Sequence, residues 1–387
     1  MIKSKNRILY IQYTNPAGYP PLEHSSRILA QADWQVLFLG TGASGADALR
    51  FLPHPHITVY QIPFCHPGWR QKLHYMRYCL WVLIWVLRWR PQWVYASDLL
   101  VCPIALILTF FPQMKVIYHE HDSPINISKS FFENFVLQTR KWLAQRSNMC
   151  VLPNLQRTRW FAENIGKENN TVCVWNCPRQ DEVIQQLNRS NENLLTLYYH
   201  GNISPNLLPL SIIKAVKIVL GEKIECKIKL RFVGYETLGN IGYFARIKEL
   251  AAKFGIQEQY IECISGVPRS KLLALAKDCD IGLALMPINS SNFNLKYLTG
   301  ASNKPFDYLA CGLPLVVSDL PDWKQMYVEP GYGLACNPED ANSIADVIRW
   351  YLEHPLEMKS MGEKGRQRIL NEWNYETQFE VVKNQMN

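Results

Sequence analysis

The sequence predicts an α/β protein with two doubly wound parallel sheets. Short apolar strands alternate with helical segments from Arg7 to Val317, and this alternation is typical of a parallel sheet whose crossovers are helices. A polar connector at 181–193 interrupts the alternation. The chain has 387 residues, 48% of them hydrophobic. That length is large for one core and natural for two domains.

The first half opens with a strand, a loop and a helix. The strand at Arg7–Tyr13 is followed by Thr-Asn-Pro-Ala-Gly-Tyr-Pro-Pro, which cannot be helical, and a helix starts near Leu22. No Gly-x-Gly-x-x-Gly is present, so evidence for a dinucleotide site is weak. Five further strands are predicted at Gln35–Leu39, Ile57–Ile62, Trp93–Ala96, Val116–His119 and Cys150–Pro153.

An apolar segment at Leu73–Trp89 has to be tested as a membrane span. It is slightly shorter than the roughly 20 residues that a span needs, and basic residues flank it. It also lies where the fold requires a crossover helix before Trp93. We therefore expect it to be buried in the first domain, with an interfacial role for its Trp and Arg ends as the alternative.

Polar residues follow two of these strands, where parallel sheets bind ligands. Ser97-Asp98 follows one strand and His119-Glu120-His121-Asp122-Ser123 follows the next. Adjacent ligands on one loop lack the distant partner that a metal site requires, so no metal is predicted. A plain hydrogen-bonding histidine at a strand end remains the alternative to a functional one.

The second half repeats the alternation. Strands are predicted at Leu194–Tyr199, Ile228–Val233, up to Ile264 and at Ile281–Leu285, with helices between them and helical character throughout from Trp350. We place the domains at 1–188 and 189–370, with a C-terminal helix at about 371–387 that packs back on the first domain.

The stretch from Lys296 to Asp319 is a polar loop, a short helix, a stop and a buried strand. Ser302 and Asn303 are good N-caps, and Gly312 with Pro314 ends the helix. The helix N-terminus would offer free amides to an anion, with the Asp307 carboxylate in the first turn beside them. The alternative is that Asp307 only complements the helix dipole and that Lys304 is solvated.

Asn-Lys-Pro-Phe-Asp-Tyr-Leu-Ala-Cys-Gly-Leu-Pro-Leu-Val-Val at 303–317 resembles the donor-nucleotide segment of retaining glycosyltransferase family 4. That resemblance implies a GT-B architecture, with two Rossmann-like domains facing across a cleft. It also implies that Asp307 takes the place of the glutamate that binds the donor ribose. Thr299 stands where many members carry a second glutamate, against the donor sugar.

The resemblance implies further site residues. His200-Gly201-Asn202 resembles the glycine turn of the donor domain, but the basic pair usual beyond it is absent from 202–213. Lys296 and Lys304, with the helix amides of Ser302 and Asn303, are then the candidates for the diphosphate.

The same resemblance implies roles for the first loop, which borders the active cleft, and for the histidine loop. Gly18 is a donor-binding candidate for close backbone approach, with a tight turn as the alternative. His121 and Asp122 would lie near the acceptor and the reacting sugar, with His119 as the alternative to them. The predicted catalytic residues are thus His121, Asp122 and Lys304.

The charge distribution and the cysteines limit the partners and the compartment that the sequence predicts. Residues 1–190 hold 20 Lys/Arg against 11 Asp/Glu, a balance of +9, and 191–387 hold 21 against 22, a balance of −1. The basic half suits an anionic membrane and a lipid-linked acceptor, or is a solvated cationic surface. Nucleic acid is not expected, because no reading motif is present. The 11 cysteines form no Cys-x-x-Cys, which predicts a reduced cytoplasmic protein. The basic half and the family resemblance suggest the inner face of the cell membrane as a peripheral location.

The function predicted is therefore a hexosyl-type glycosyltransferase that uses a nucleotide-sugar donor, with no cofactor and no metal. The acceptor would be a glycan or a lipid-linked sugar in cell-envelope or exopolysaccharide synthesis. A nucleotide-sugar epimerase of the same fold and a catalytically inactive GT-B binding protein are the alternatives. The donor base, sugar, acceptor, linkage and oligomeric state do not follow from the sequence.

Overall fold

The computed structural model describes residues 6–44, 49–124, 130–184, 193–222 and 226–386. The predicted boundary at 188/189 lies outside these ranges. Contacts between Cα atoms divide the chain into two compact units. Unit 1 comprises Met1–Asn176, Asn292–Ala301 and Gln378–Asn387, and unit 2 comprises Cys177–Ser291 and Ser302–Thr377.

Unit 1 contains a parallel sheet of seven strands among the described residues, in the order β3-β2-β1-β4-β5-β6-β7. Its inner strands are almost wholly buried runs of Ile, Leu, Val and Tyr, as expected where helices cover both faces. The strands are β1 Arg7–Ile11, β2 Gln35–Thr41, β3 Ile57–Ile62, β4 Trp93–Ser97, β5 Lys115–His119, β6 Met149–Leu152 and β7 Thr171–Cys173.

Unit 2 contains a second parallel sheet, with six strands among the residues that the structure describes, in the order β10-β9-β8-β11-β12-β13. The strands are β8 Leu194–Ile203, β9 Lys227–Glu236, β10 Ile261–Ser265, β11 Ile281–Ala284, β12 Leu315–Ser318 and β13 Gly333–Cys336. The predicted pair of doubly wound parallel sheets is thereby confirmed, although β7 and β13 were not among the predicted strands.

Helices α1 to α11 lie between strands in the chain, and α12 to α14 follow the last strand. They are α1 Pro20–Gln31, α2 Trp69–Trp89, α3 Cys102–Leu108, α4 Phe131–Arg146, α5 Leu155–Ile165, α6 Ser211–Leu220, α7 Tyr243–Lys253, α8 Arg269–Ala276, α9 Phe293–Lys296, α10 Asn303–Ala310, α11 Pro321–Trp323, α12 Ala341–Glu353, α13 Pro355–Asn371 and α14 Tyr375–Met386. A π-helical turn at Lys324–Val328 continues α11.

Each sheet reverses its strand order once. The reversal lies between β1 and β4 in unit 1 and between β8 and β11 in unit 2. Open parallel sheets bind ligands outside the carboxyl ends of the strands at this point. We therefore expect ligands to bind near the residues that follow β1 and β4, or near those at the ends of β8 and β11.

Helix α2 is the predicted crossover, but the prediction that it is buried was wrong. Only Tyr78, Val82 and Val86 are fully buried, and they pack into the core of unit 1. The opposite face carries large apolar side chains in solvent. None of the helices in the described part of the chain is both long enough and apolar enough to cross a bilayer.

The segment at 292–301 was placed in the second domain by sequence, whereas its contacts group it with unit 1. Arg157 Nη2 donates to the Asn294 carbonyl at 2.6 Å, and Asn154 Nδ2 donates to the Thr299 carbonyl at 2.6 Å. The amide of Asn176 donates to the Gly300 carbonyl at 2.8 Å. These long-range bonds to α5 and to the end of unit 1 decide where the segment packs.

We predict that Gly234→Ala destabilises unit 2 by about 1–3 kcal/mol. Gly234 of β9 lies opposite Gly201 of β8, and an added Cβ would overlap the Gly201 carbonyl oxygen. Chemical denaturation measures the loss. The control is Gly239→Ala, where the added methyl group meets no atom within 4 Å. Equal stabilities of the two variants would contradict the close strand contact.

Candidate functional site

The predicted glycine turn at His200-Gly201-Asn202 lies inside the first strand of unit 2 and not after it, because the pairing of β8 with β9 continues to Ile203. We keep the name glycine turn for Gly201 and Asn202, since Gly201 has φ +116°, a conformation that favours glycine. Its neighbour Asn202 is half-buried, and the Asn202 Oδ1 atom is buried without a hydrogen-bond partner among the described residues. The turn therefore leaves an unpaired polar side chain at the switch point of the second sheet.

Helix α10 begins beside this turn. Ser302 is its N-cap residue but makes no side-chain capping bond, so the amides of the first turn are not capped in the usual way. Asn303 Oδ1 is also buried without a partner in the described parts of the chain. The helix ends at Ala310, and Gly312 takes φ +65°, as its Gly-Leu-Pro sequence predicts.

Lys304, in the first turn of α10, is directed at the glycine turn. A Cβ built on Gly201 would lie 3.2 Å from Lys304 Cε and 3.7 Å from Nζ. The ammonium also lies 5.5 Å from the centroid of the Tyr199 ring. Among the residues that the structure describes, no carboxylate pairs with it. Burial lowers the pKa of Lys304 to about 8, against a weak opposing effect of Asp307.

Asp307 does not occupy the position predicted for it. The helix starts at Asn303, so no acidic residue lies in the first turn, and the Asp307 side chain is only 1% exposed. Its Oδ1 accepts from Arg269 Nη2 at 2.7 Å and its Oδ2 accepts from Arg269 Nη1 at 3.0 Å. The carboxylate is thus engaged from within unit 2 and does not face solvent.

Arg269 binds a second carboxylate as well. Its Nε and Nη2 donate to Glu182 at 2.7 and 3.1 Å. Burial alone would disfavour the cation, but the two carboxylates raise the pKa of Arg269 well above its usual value. Although burial opposes ionisation, Arg269 and a bond from His200 hold the pKa of Asp307 below its usual value.

His200 completes this group. Its Nε2 lies 3.3 Å from Asp307 Oδ2, and burial lowers its pKa despite the neighbouring carboxylate. A neutral imidazole would therefore donate from Nε2 to Asp307, which leaves Nδ1 as an acceptor. The Nδ1 atom is buried and has no partner in the described ranges.

The structure brings together only part of the predicted donor set. Gly201, Asn202, Ser302, Asn303, Lys304 and Asp307 belong to unit 2. Lys296 and Thr299 lie in the segment that clusters with unit 1, where Lys296 Nζ is 5.3 Å from the Tyr297 ring centroid. Gly18 is exposed, with an ordinary φ, and an added Cβ would only meet Leu49 at 3.9 Å.

Sequence reasoning gave no role to Arg269, Glu182 or His200. Arg269 begins α8 just after β10, so its place after the carboxyl end of a strand was the available signal. His200 was part of the quoted glycine turn. Nothing local marks Glu182, which lies at the start of the predicted connector and meets Arg269 only in the folded chain.

A second polar cluster lies at the carboxyl ends of β4 and β5 in unit 1. His121 Nε2 is 3.0 Å from Ser97 Oγ, and burial lowers the pKa of His121 to about 3. The rings of His119 and His121 lie 3.9 Å apart, and burial lowers the pKa of His119 well below its usual value. Both imidazoles are therefore neutral at physiological pH.

Asp98 and Asp122 both lie beside this cluster, but Asp98 is hydrogen-bonded within it and Asp122 is exposed. Asp98 accepts from the His121 amide at 3.3 Å and from Gln12 Nε2 at 3.3 Å. Burial, with added repulsion from Asp122, raises the pKa of Asp98 to about 7. Asp122 is 78% exposed and lies 3.6 Å from Arg157 Nη1. Within the described residues no group of three or more His, Cys, Asp or Glu side chains could hold a metal ion.

Solved structures identify the architecture. Anabaena HepE in complex with UDP and glucose aligns with a TM-score of 0.69 and 14% identity, over 98% of this chain and 99% of its own. The fold is GT-B. Sucrose-phosphate synthase from Thermosynechococcus elongatus aligns with this GT-B chain at a TM-score of 0.68 and 13% identity, over 98% of both chains.

A third GT-B relative by fold is the E. coli protein described as "Trehalose-6-phosphate" bound with UDP-2-fluoro glucose, with a TM-score of 0.67 and 13% identity over 98% of this chain and 99% of its own. Residues 227–383 match the model of the family described as "Glycosyl transferase-like". No curated protein sequence gives a significant match. The chain therefore has the GT-B fold, and its second half is similar to the glycosyl transferase-like family.

Replacing Arg269 with Ala should destabilise unit 2 by about 3–5 kcal/mol, because two buried carboxylates would lose their cation. Denaturant unfolding at neutral pH measures this loss. Arg349→Ala is the matched control, since Arg349 makes ion pairs with Glu222 and Asp346 that are largely exposed. The loss of stability in the Arg349→Ala variant should be much smaller. A comparable loss in both variants would show that Arg269 has no special role in the fold.

Lys304→Met should raise the stability of the ligand-free protein at pH 7 by roughly 1–3 kcal/mol, because a desolvated cation is removed. The folded-state pKa of Lys304 is about 8, below the ordinary 10.5. The cost is therefore fully present below pH 8 and is relieved as the pH rises toward 10.5. Melting temperatures against pH should converge for the two proteins. A variant that is less stable than wild type at pH 7 would contradict an unpaired lysine.

Proposed function

We propose that this chain is a retaining glycosyltransferase of family 4 that transfers a hexosyl group from a nucleotide sugar to a glycan or lipid-linked acceptor. The observation that supports the donor half is Lys304. It is a half-buried cation without a carboxylate partner among the described residues, held against the Gly201 turn at the switch point of a parallel sheet. A diphosphate supplies the missing negative charge.

The leaving group would be a nucleoside diphosphate. As the sugar–phosphate bond breaks, negative charge grows on the departing oxygen, and a preorganised cation with helix amides stabilises that charge. Lys304 would supply the cation, and the uncapped first turn of α10 at Ser302 and Asn303 would supply the amides. The unpaired side-chain oxygens of Asn202 and Asn303 would accept bonds from donor hydroxyls or a base.

We infer that a uridine nucleotide is the donor to test first. Structures of Anabaena HepE with UDP and with UDP-glucose share the fold, as does the E. coli protein bound with UDP-2-fluoro glucose. The ribose contact inferred from the family resemblance would require Asp307 to be released from Arg269, because its carboxylate is buried and engaged. In this proposal Asp307 therefore acts on the donor through His200 and α10.

The acceptor would meet unit 1. His121 is a neutral imidazole whose Nε2 is bound to Ser97, so it can orient a hydroxyl but not supply a full charge. Asp122 is exposed beside it, and Asp98 accepts from the His121 amide. We place the acceptor in cell-envelope or exopolysaccharide synthesis on the family resemblance and on the basic first half of the sequence.

An inactive GT-B protein that binds nucleotide without turnover is the second candidate. The internal engagement of Asp307 by Arg269 favours it, as does a threonine at position 299. Under this alternative, nucleotide binding would persist while no acceptor promotes release of the nucleoside diphosphate.

The proposed activity predicts acceptor-dependent release of a nucleoside diphosphate from a nucleotide sugar. Membrane extracts and purified lipid-linked sugars serve as acceptors in a coupled assay, with NMR of the anomeric proton for retention. Lys304→Met should lower the rate about 100-fold or more, the scale expected for a lost leaving-group contact. Lys253→Met, an exposed lysine of unit 2, is the control and should keep full activity.

Three other outcomes would decide against the proposal. Turnover that needs no acceptor would indicate an epimerase or a hydrolase. Nucleotide binding without turnover would indicate the inactive binding protein. A Lys304→Met variant with normal kcat and KM would remove Lys304 from the donor site.

A further inference from the structure

Helix α2 carries an apolar stripe on its solvent side. Six large side chains recur at spacings of three or four, which places them on one face of the helix. They are exposed by 42–68%: Trp69, Leu73, Met76, Leu80, Ile84 and Leu87. We call these six residues the α2 stripe. The other side of the helix is anchored, since Tyr78 and Val82 are buried in the core of unit 1 and the Tyr78 hydroxyl donates to the Leu39 carbonyl at 3.0 Å.

Basic side chains border the stripe. Arg70, Arg77 and Arg88 are exposed, and each directly follows a stripe residue, so they line one edge at about 100° around the helix. Lys72 is exposed as well. The sequence contains no Asp or Glu from 48 to 97, so no acid on this stretch offsets the positive edge.

We propose that the α2 stripe is a docking surface for an anionic phospholipid bilayer, with the helix lying in the plane of the interface. An in-plane helix has an apolar face that enters the acyl boundary and basic residues that meet the headgroup phosphates. The stripe and its arginine edge supply both. None of the described helices is suited to cross the bilayer, which agrees with a helix that lies on it.

The other occupants fit less well. A second copy related by a twofold axis would bring the same arginine edge against itself without an acid on α2 to pair with it. Nucleic acid would use the arginines, but the apolar α2 stripe contributes nothing to phosphate contacts. Of these three occupants, an anionic membrane is the one that uses the apolar stripe and the positive edge together.

The test is flotation of the full chain with vesicles of phosphatidylglycerol and phosphatidylethanolamine, compared with pure phosphatidylcholine vesicles. Wild type should float with the anionic vesicles, and added salt should weaken the binding. Leu73→Glu combined with Leu80→Glu should lower the partition coefficient at least about 100-fold, through loss of two buried leucines. Arg70→Gln, Arg77→Gln and Arg88→Gln together should lower it by about 100-fold, at about 1 kcal/mol per charge.

The matched control replaces three exposed lysines of unit 2 with Gln: Lys214, Lys217 and Lys253. It changes the net charge equally and should leave flotation unchanged, and unaltered melting temperatures would show that all the variants fold. Equal loss in the control, or no flotation of wild type, would overturn the proposal. A lipid-free dimer that Leu80→Glu converts to a monomer would assign the stripe to a second copy instead. No nucleotide enters the test, so its result is independent of the donor site.

Discussion

The charge balance of the candidate site depends on one arginine. Arg269, whose side chain is 11% exposed, binds the carboxylates of both Asp307 and Glu182 at hydrogen-bond distance. Lys304, one turn from Asp307 on the same helix, is left without a carboxylate partner among the described residues. In the proposed anion site, the free cation, the uncapped helix start and the glycine turn lie together, and Arg269 neutralises the neighbouring acids.

This arrangement lowers the stability of the folded protein, and it leaves the ammonium group of Lys304 available to a ligand. Desolvation of an unpaired ammonium costs free energy, which the lowered pKa of Lys304 expresses. The same principle applies to two buried side-chain oxygens, since Asn202 Oδ1 at the end of β8 and Asn303 Oδ1 at the start of α10 lack partners in the described ranges. Unsatisfied polar groups are rare in folded proteins and concentrate where ligands bind. At the switch point of the second sheet these oxygens lie with the unpaired Lys304, and that combination makes this location the candidate donor site.

Local signals in the sequence predicted much of the fold but few of the contacts. The strands and the start and stop of α10 followed from apolar runs and from Ser302, Gly312 and Pro314, because those features depend on neighbours in the chain. The engagement of Asp307 by Arg269 joins residues 38 positions apart, so no local pattern contains it. The exposure of α2 was missed for a related reason, since apolar content alone does not tell which face meets the core.

The most direct test of the central claim is a crystal structure of the protein with UDP. We expect the diphosphate at the Gly201 turn, with a phosphate oxygen within about 3.2 Å of Lys304 Nζ. The first-turn amides of α10 should point at the phosphates. Arg269 should still bind Asp307 and Glu182 in that complex. A nucleotide bound elsewhere, or Lys304 paired with a carboxylate while the nucleotide is bound, would contradict the account.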